Sequence, residues 1–353
     1  MKKTFIYFLF WTLTCCQLFA AAPNGYYNSA VGKTERALKS ELSDIISANY
    51  RSYSYDDLWD IYEESDVTAS GKVWDMYSTC TWTPGQKKCG NYKNVCDCYN
   101  REHSIPKSWF NSAKPMYSDA FHLYPTDGKV NGQRSNYPFG ECSGGTSLGG
   151  KALGRLGNCT FPGYSGKVFE PADEYKGDFA RTYFYFVTRY EDQMSSFDGE
   201  SFAKNTYPSL SQWSIDLFLK WHREDPVSQK EIDRNDAVYG FQRNRNPFID
   251  HPELVEYIWG NKKGEPWSLQ SALKEGISEC FHLRHNVVYD RQLDIDLQES
   301  IEVDYAIYNM MGVLMESGKL VGPSTLDVDY PAGVYIMRAK AANSETAVRF
   351  IVK

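Results

Sequence analysis

The sequence predicts an α+β fold in which a mainly helical domain is followed by a small all-β sandwich. Three observations indicate this class. First, 42% of the 353 residues are apolar and 15% are aromatic, so the chain can build a sizeable core. Second, apolar residues recur at helical spacing between residues 178 and 259. Third, beyond residue 281 short runs alternate apolar and polar side chains between turn signals, which is typical of strands.

We divide the chain into a targeting segment and two domains. Residues 1–21 begin with Met and two lysines, continue into an apolar run and end in small residues, as a secretory signal peptide does. That run is shorter than the roughly 20 residues of a membrane span, so we expect no transmembrane segment in the mature chain. A lipoprotein signal, with Cys15 or Cys16 acylated, is the alternative. Residues 22–275 form the mainly helical domain and residues 282–353 an immunoglobulin-like sandwich.

Helices dominate the larger domain. The predicted helices cover residues 34–50, 178–190, 210–221, 231–241 and 252–259. Residues 53–100 differ, because they mix aromatics, cysteines and turn residues. We interpret that stretch as short strands and loops held together by disulfides.

Seven cysteines follow the signal peptide, and six of them lie close together in sequence: Cys80, Cys89, Cys96, Cys98, Cys142 and Cys159. In an exported protein such a cluster predicts up to three disulfides, among about fifteen pairings that the sequence leaves open. Cys280 would then be left over. A zinc site is the alternative, but no Cys-x-x-Cys pair occurs and Cys96-Asp97-Cys98 is an awkward ligand spacing.

Charge is distributed unevenly along the chain. The formal net charge of −7 does not suit a phosphate-binding protein, because Lys and Arg drive such binding. Between residues 80 and 155, however, ten basic residues stand against five acidic ones, a local net charge of +5. We therefore expect an anion-binding site in this segment and no nucleic-acid role for the acidic sandwich.

Three short blocks within this segment carry residues suited to chemistry: residues 101–110, 119–125 and 128–136. A histidine can act as a general base because its ordinary pKa lies near neutral pH. Carboxylate and amide oxygens suit Mg²⁺, which keeps several waters and takes further oxygens from a substrate phosphate. The blocks therefore suit hydrolysis of phosphodiester bonds.

These blocks resemble the endonuclease I family, a branch of the His-Me finger nucleases that is built around a ββα-metal motif. The similarity continues, in the same order, through residues 180–185, 189–190, 225–228 and 244–252, so that it spans about residues 34–259. The resemblance implies a mainly helical nuclease domain around a central ββα-metal finger.

The resemblance also implies roles for individual residues. His103 would deprotonate the attacking water, and Glu102 and Asn131 would hold one divalent ion, Mg²⁺, with Mn²⁺ or Ca²⁺ as alternatives. The ion would stabilise the phosphate and the departing 3′ oxygen, leaving 5′-phosphate ends. Adjacent residues of a regular strand point to opposite faces, so we expect the backbone to bend at Glu102 and His103, close to Pro106.

Two departures from the family pattern affect further residues. The family's histidine after the second block's aspartate is shifted by one place, so we expect His122 to support the site rather than to catalyse. Some relatives carry an arginine that contacts the transition state, in an insertion after the first block, where this chain offers only Lys114. Arg134 is our catalytic substitute, since a guanidinium can hold phosphate bidentately. The remaining assignments are Arg101, Lys107 and Lys129 as substrate-binding residues, and Asp119 and Asn136 as supporting residues.

The C-terminal domain resembles the sorting domain used by type IX secretion, in residues 305–312, 331–336 and 349–353. This resemblance implies the secretion machinery as a partner, and passage through an outer membrane followed by release or surface attachment. An immunoglobulin-like domain that binds or spaces is the alternative.

Together these features predict a secreted, metal-dependent endonuclease that cuts DNA, with RNA as a further substrate, and has little sequence preference because no base-reading element is visible. One rival is a catalytically inactive secreted protein that binds nucleic acid or adheres to surfaces. The other is a secreted phosphoesterase acting on small phosphate esters.

Overall fold

The computed structural model describes residues 22–23, 25–269, 281–297, 302–341 and 344–353. The predicted signal peptide (residues 1–21) and Cys280 lie outside these residues. The chain forms two compact units, one holding Ser43–Pro252 and the other holding Glu253–Lys353 together with Tyr27–Leu42.

Helices and strands occur in both units, and the α+β class is confirmed. The helices are α1 (Glu35–Ser47), α2 (Leu58–Ser65), α3 (Gly128–Arg134), α4 (Lys176–Arg189), α5 (Gln212–Glu224), α6 (Gln229–Gln242), α7 (Pro247–Asp250) and α8 (Leu254–Ile258). The strands are β1 (Tyr99–His103), β2 (Leu123–Asp127), β3 (Thr146–Ser147), β4 (Arg155–Asn158), β5 (Lys167–Glu170), β6 (Phe281–Leu283), β7 (Val287–Val288), β8 (Gln292–Leu297), β9 (Glu302–Asn309), β10 (Leu314–Val321), β11 (Ser324–Asp327), β12 (Gly333–Ala341) and β13 (Ser344–Val352). Within the described residues, no helix is both long and apolar enough to cross a bilayer.

Helix α4 lies at the centre of the first unit. Its residues from Gly177 to Thr188 are all buried, as expected of a helix that is apolar almost all round. It packs against α5, α7 and the short 3-10 turn Ala120–His122. The helix therefore forms the floor beneath the second block of the sequence motif.

Helix α6 fixes the chain that enters β2. Its Arg234 side chain is buried and donates hydrogen bonds to Asp66 Oδ1 (2.8 Å) and to the carbonyl oxygens of Ala120 (2.7 Å) and Leu123 (2.8 Å). A planar guanidinium can serve three acceptors at once, so one side chain joins α2, α6 and the start of β2.

The interpretation of residues 53–100 as strands and loops was wrong in part, because α2 lies within them. Leu58, Ile61, Tyr62 and Ser65 are buried at the spacing of one helical face. The acidic residues between these positions, and the cysteines and turns that follow, obscured this periodicity. Other than isolated bridges, no strand is described in this stretch before β1.

The C-terminal strands form two sheets around one core. A five-stranded sheet has the order β10-β9-β12-β13-β7 and a three-stranded sheet the order β11-β8-β6. Both contribute to the same hydrophobic cluster, for example through Ile295 of β8 and Ile307 of β9. The all-β character predicted for this region is confirmed.

Two disulfides are present among the described residues, where the sequence predicted up to three. Cys80 pairs with Cys96 and Cys89 with Cys98, with Cα–Cα distances of 5.4 and 5.1 Å. Pairing of these four residues rules out the zinc alternative for them, since disulfide sulfurs are not thiolate ligands. Cys142 and Cys159 are both thiols in the structure.

Candidate active site

Strands β1 and β2 and helix α3 form a consecutive ββα unit. The strands pair antiparallel, from Tyr99 opposite Asp127 to His103 opposite Leu123. Helix α3 follows β2 directly, and Asp127 caps it by accepting hydrogen bonds from the backbone N–H groups of Lys129 (2.8 Å) and Val130 (2.9 Å). The cap fixes the helix against the strand pair, so that residues of the first and third blocks face each other.

A cavity of about 440 Å³ opens between these elements. Its lining residues are Tyr55, Asn100, Arg101, Glu102, His103, Pro106, Lys107, Ser108, Asn131, Arg134, Ser135 and Asn136. The predicted base and both predicted metal ligands thus share one cavity with two of the predicted substrate-binding residues, Arg101 and Lys107.

The backbone does not bend where we expected it to. Glu102 and His103 both remain in register with β2, opposite Tyr124 and Leu123, and the strand ends only after His103. Both side chains nevertheless line the cavity, because it lies at the end of the strand pair. A change of face was therefore not needed to bring the two residues to one site.

The imidazole of His103 is oriented by a backbone carbonyl. Its Nε2 atom lies 3.1 Å from the carbonyl oxygen of Tyr117. A carbonyl only accepts hydrogen bonds, so Nε2 must donate and Nδ1 is the nitrogen with a free lone pair. Burial lowers the pKa of His103 well below its ordinary value, and the nearby His122 lowers it further. The ring is therefore held neutral, with Nδ1 able to accept a proton.

Aromatic rings pack around His103. Tyr55 stacks on it with ring centroids 5.6 Å apart and ring planes 16° apart, and Tyr117 lies 5.3 Å away. Tyr55 also contacts Arg101, whose guanidinium carbon lies 3.6 Å from the tyrosine ring centroid. Tyr55 thus contacts both a cation and the imidazole.

Glu102 is almost completely buried, with 3% of its surface exposed. The Tyr77 hydroxyl and Arg134 Nη1 both donate to Oε1, each at 2.8 Å. Burial raises the pKa of Glu102, and the charge of Arg134 acts in the opposite direction. Oε2 receives no side-chain hydrogen bond from the described residues, so this oxygen can serve as a ligand.

The guanidinium of Arg134 is committed to protein groups. Besides Glu102, it donates to the carbonyl oxygens of His103 (2.9 Å) and Ser104 (2.6 Å), and its carbon lies 4.6 Å from the ring centroid of Phe139. Only 1% of the residue is exposed. The structure therefore places the predicted transition-state residue at the cavity wall but almost fully buried, where it holds Glu102 and the end of β1.

Asp119 and His122 do not line the cavity but hold the segment behind it. Asp119 Oδ2 accepts hydrogen bonds from the hydroxyl groups of Tyr185 (2.8 Å) and Tyr190 (2.6 Å) on and after α4. His122 Nε2 lies 2.6 Å from the Met116 carbonyl oxygen, one residue before the carbonyl that orients His103. Burial lowers the pKa of His122 to about 4, so this ring is also neutral.

The other predicted residues differ in access. Arg101 Nη1 donates to the Tyr55 carbonyl oxygen (2.6 Å) and to Asp56 Oδ1 (2.8 Å), while Lys107 is exposed at the cavity. Asn136 lines the cavity and is exposed. Lys129 is absent from the lining and contributes its backbone N–H to the helix cap.

Three residues of this site were not found from the sequence. Tyr55 and Tyr77 precede the first block by many positions, and Tyr117 acts through its carbonyl oxygen, which any residue could supply. The high tyrosine content of the chain hid the first two, because aromatics near a motif are more often core residues than site residues.

Comparison with known proteins supports the resemblance to the endonuclease I family. A model of the endonuclease I family matches residues 34–253, more than half of the chain. The extracellular ribonuclease of Bacillus amyloliquefaciens is 37% identical over 242 residues, which cover 66% of this chain and 78% of the relative, and that of Bacillus subtilis (strain 168) gives the same values. A periplasmic deoxyribonuclease of Aeromonas hydrophila is 29% identical over 135 residues, covering 38% of this chain and 48% of the relative. The chain therefore belongs to the endonuclease I family and is a hydrolase of the nuclease class.

Proposed function

We propose that the protein is a secreted, metal-dependent endonuclease that hydrolyses DNA, and RNA as a further substrate, with little sequence preference. The observation that carries this proposal is the meeting of His103, Glu102 and Asn131 at one cavity that basic side chains border. The relatives named extracellular ribonuclease and periplasmic deoxyribonuclease support a nucleic-acid substrate and action outside the cytoplasm.

His103 acts as the general base in this proposal. The Tyr117 carbonyl holds the Nε2–H, so Nδ1 takes the proton from the attacking water. Because burial keeps the ring neutral, the base is in its reactive form before substrate binds. The stacked Tyr55 ring would limit rotation of the imidazole and so help the Tyr117 carbonyl to keep the ring in one orientation.

The cavity fits a hard divalent cation such as Mg²⁺, with Mn²⁺ or Ca²⁺ as alternatives. Glu102 Oε2 and the Asn131 amide oxygen would hold it, both being oxygen ligands at the cavity wall. When bound, the ion would neutralise the scissile phosphate and stabilise the departing 3′ oxygen, leaving 5′-phosphate ends. Arg134 already compensates the charge of Glu102, so the protein alone offers the cation little net negative charge. We expect affinity for the cation to rise when the substrate phosphate is present.

We propose a different role for Arg134 from the one that the family pattern suggested. Its three acceptors are Glu102 and two carbonyl oxygens, which supports a positioning role toward the metal ligand. Arg101 and Lys107 line the cavity and are our candidates for contact with the substrate phosphate.

Export would proceed through the signal peptide at residues 1–21 and a sorting domain at residues 282–353. The two disulfides support passage through an oxidising compartment, because such bonds are rare in reducing cytosol. We keep residues 22–275 as the proposed catalytic domain, as the sequence predicted.

The test is cleavage of supercoiled plasmid and of RNA by the purified protein across a Mg²⁺ titration. Wild type should nick in a metal-dependent way, and His103→Ala should lose at least a hundredfold in rate. His285→Ala is the matched control, because it removes an exposed histidine from the loop between β6 and β7. Equal nicking by wild type and His103→Ala, or none by either, would contradict the proposal and favour the binding protein.

Two further readouts separate the remaining alternatives. A chromogenic small phosphodiester turned over faster than duplex DNA would favour the phosphoesterase. Nicked plasmid that DNA ligase reseals without prior phosphorylation would establish 5′-phosphate ends. Products that need a kinase before ligation would contradict the proposed end chemistry.

A further inference from the structure

Cys142 and Cys159 face each other across two extended segments. They are direct partners in an isolated antiparallel bridge. The hydrogen bond from Thr160 N–H to the Glu141 carbonyl oxygen (2.8 Å) joins the residues that flank them. The pair is therefore of the non-hydrogen-bonded kind, in which opposed Cα atoms lie about 4.5 Å apart and side chains are closest.

This placement meets the backbone requirement of a disulfide. Disulfide bridges span Cα–Cα distances of about 4.4–6.8 Å, and side chains that are directly opposite point to the same face. The two bridges already formed in this chain have Cα–Cα distances of 5.4 and 5.1 Å. Their presence also means that the chain meets oxidising conditions, independently of its activity.

The surroundings leave room for the Cys142 sulfur. A Cβ atom on Gly145 would come within 2.9 Å of Cys142 Sγ, and one on Gly157 within 3.0 Å. Glycine at both positions thus keeps side chains away from this sulfur. Cys142 itself is 3% exposed, whereas Cys159 is partly accessible.

We propose that Cys142 and Cys159 form a third disulfide in the mature protein. The oxidant is a disulfide-bearing oxidoreductase or oxidised glutathione. The Cys159 thiolate, the more accessible of the two, attacks one sulfur of the oxidant and releases its first thiol. Cys142 then attacks the Cys159 sulfur of this mixed disulfide and releases the second thiol. One S–S bond forms, one S–S bond breaks, and the two cysteine protons end on the two released thiols.

The bridge would close the loop between Cys142 and Cys159, in addition to the strand pairing of β4 with β3 and β5. This loop contains the short strands β3 and β4 and four glycines with positive φ: Gly144, Gly149, Gly150 and Gly154. Glycine gives the unfolded chain many backbone conformations. Closing the loop therefore removes conformational entropy mainly from the unfolded state. The bridge would stabilise the segment that leaves α3.

Peptide mapping of the full-length secreted protein tests the proposal directly. The protein is unfolded and alkylated without reduction, then digested with trypsin, which can cut after Lys151 and Arg155 between the two cysteines. We expect residues 135–151 and 156–167 as one cross-linked species that separates on reduction. Residues 73–87, 89–93 and 94–101, which carry the four cysteines of the two existing bridges, should remain joined as one species and serve as the internal positive control.

Alkylated Cys142 and Cys159 alongside intact Cys80–Cys96 and Cys89–Cys98 bridges would overturn the proposal. Cys142 linked to any cysteine other than Cys159 would also overturn it. The variant test compares wild type with the double variant Cys142→Ser/Cys159→Ser. We expect its thermal midpoint to fall by roughly 5–10 °C under oxidising conditions and the difference to shrink on mild reduction. An equal midpoint in both conditions would contradict the stabilising bridge.

Discussion

The carbonyl oxygen of Tyr117 lies 3.1 Å from His103 Nε2, and the preceding carbonyl, that of Met116, lies 2.6 Å from His122 Nε2. Two successive peptide groups therefore set the tautomers of two histidines. Only His103 lines the cavity, so its tautomer is the one that matters for the proposed proton transfer, while that of His122 holds the turn that supplies both carbonyls.

Replacing Tyr55 should reduce turnover more than substrate binding. Tyr55→Ala removes the ring that contacts both Arg101 and His103, so the imidazole can rotate from its present orientation. We expect kcat to fall roughly tenfold with a smaller change in KM. Tyr55→Phe is the matched control and should keep most activity. A loss confined to KM would point to substrate stacking instead.

Replacing Arg134 should affect both stability and metal response. Arg134→Met removes the cation that pairs with buried Glu102 and a donor to two carbonyl oxygens, which should cost about 3–5 kcal/mol in the free energy of unfolding. Arg134→Lys keeps the charge but not the fork, so its effect should be intermediate. Urea unfolding and Mg²⁺ titration of nicking measure the two effects. A stable Arg134→Met protein that lacks only activity would instead support direct contact with the substrate.

Arg234 should be among the most sensitive positions of the fold. Arg234→Met leaves Asp66 as an uncompensated buried charge, and we expect a loss of about 3–5 kcal/mol in unfolding free energy. Arg284→Ala, which removes an exposed ion pair with Asp296, is the control and should change the unfolding midpoint little. Comparable effects of both substitutions would contradict the assigned importance of burial.

Glu170 should make the fold sensitive to acid. Burial alone would raise its pKa, but hydrogen bonds from Arg155, the Cys142 N–H and Lys176 outweigh burial and lower the pKa to about 2. A lowered folded-state pKa gives stability that is complete above the unfolded value of 4.5 and is lost as pH falls toward 2. The contribution is up to about 3 kcal/mol.

The measurement for Glu170 is urea unfolding of wild type and Glu170→Gln at several pH values. The variant should be less stable at pH 6, and the difference should shrink steadily below pH 4. A difference that stays constant across this range would show that the carboxylate charge is not the stabilising feature.

That the motif residues lie together was predictable, because they come from short blocks with a recognisable spacing. Glu102, His103 and Asn131 share one cavity, as the resemblance implied. Arg134 was harder, because a guanidinium fork fits phosphate, carboxylate and carbonyl oxygens alike, and only the fold decides which lies nearest. Tyr55 could not be found, since its contact with Arg101 joins positions far apart in sequence and has no periodic signal.

Some helices and strands were likewise predictable from the sequence, and others were not. Helix α4 was clear because it is apolar almost all round, and the C-terminal strands were clear from their alternation. Helix α2 was missed although its buried residues have helical spacing, because disulfides and turns nearby favoured another interpretation. For residues 58–65, the sequence interpretation gave local composition more weight than helical periodicity.

The cap of α3 also depends on the disulfide-bonded loop. Asp127 accepts a hydrogen bond from the Cys96 N–H (2.6 Å), and Gly128 N–H donates to the Cys98 carbonyl oxygen (3.0 Å). Both cysteines are disulfide-bonded, so a disulfide-bonded loop supports the first turn of α3, the helix that carries Asn131. A freshly made, reduced chain would lack this anchor. For the proposed secreted nuclease, we therefore expect little activity on the producing cell's own nucleic acids before the disulfides have formed.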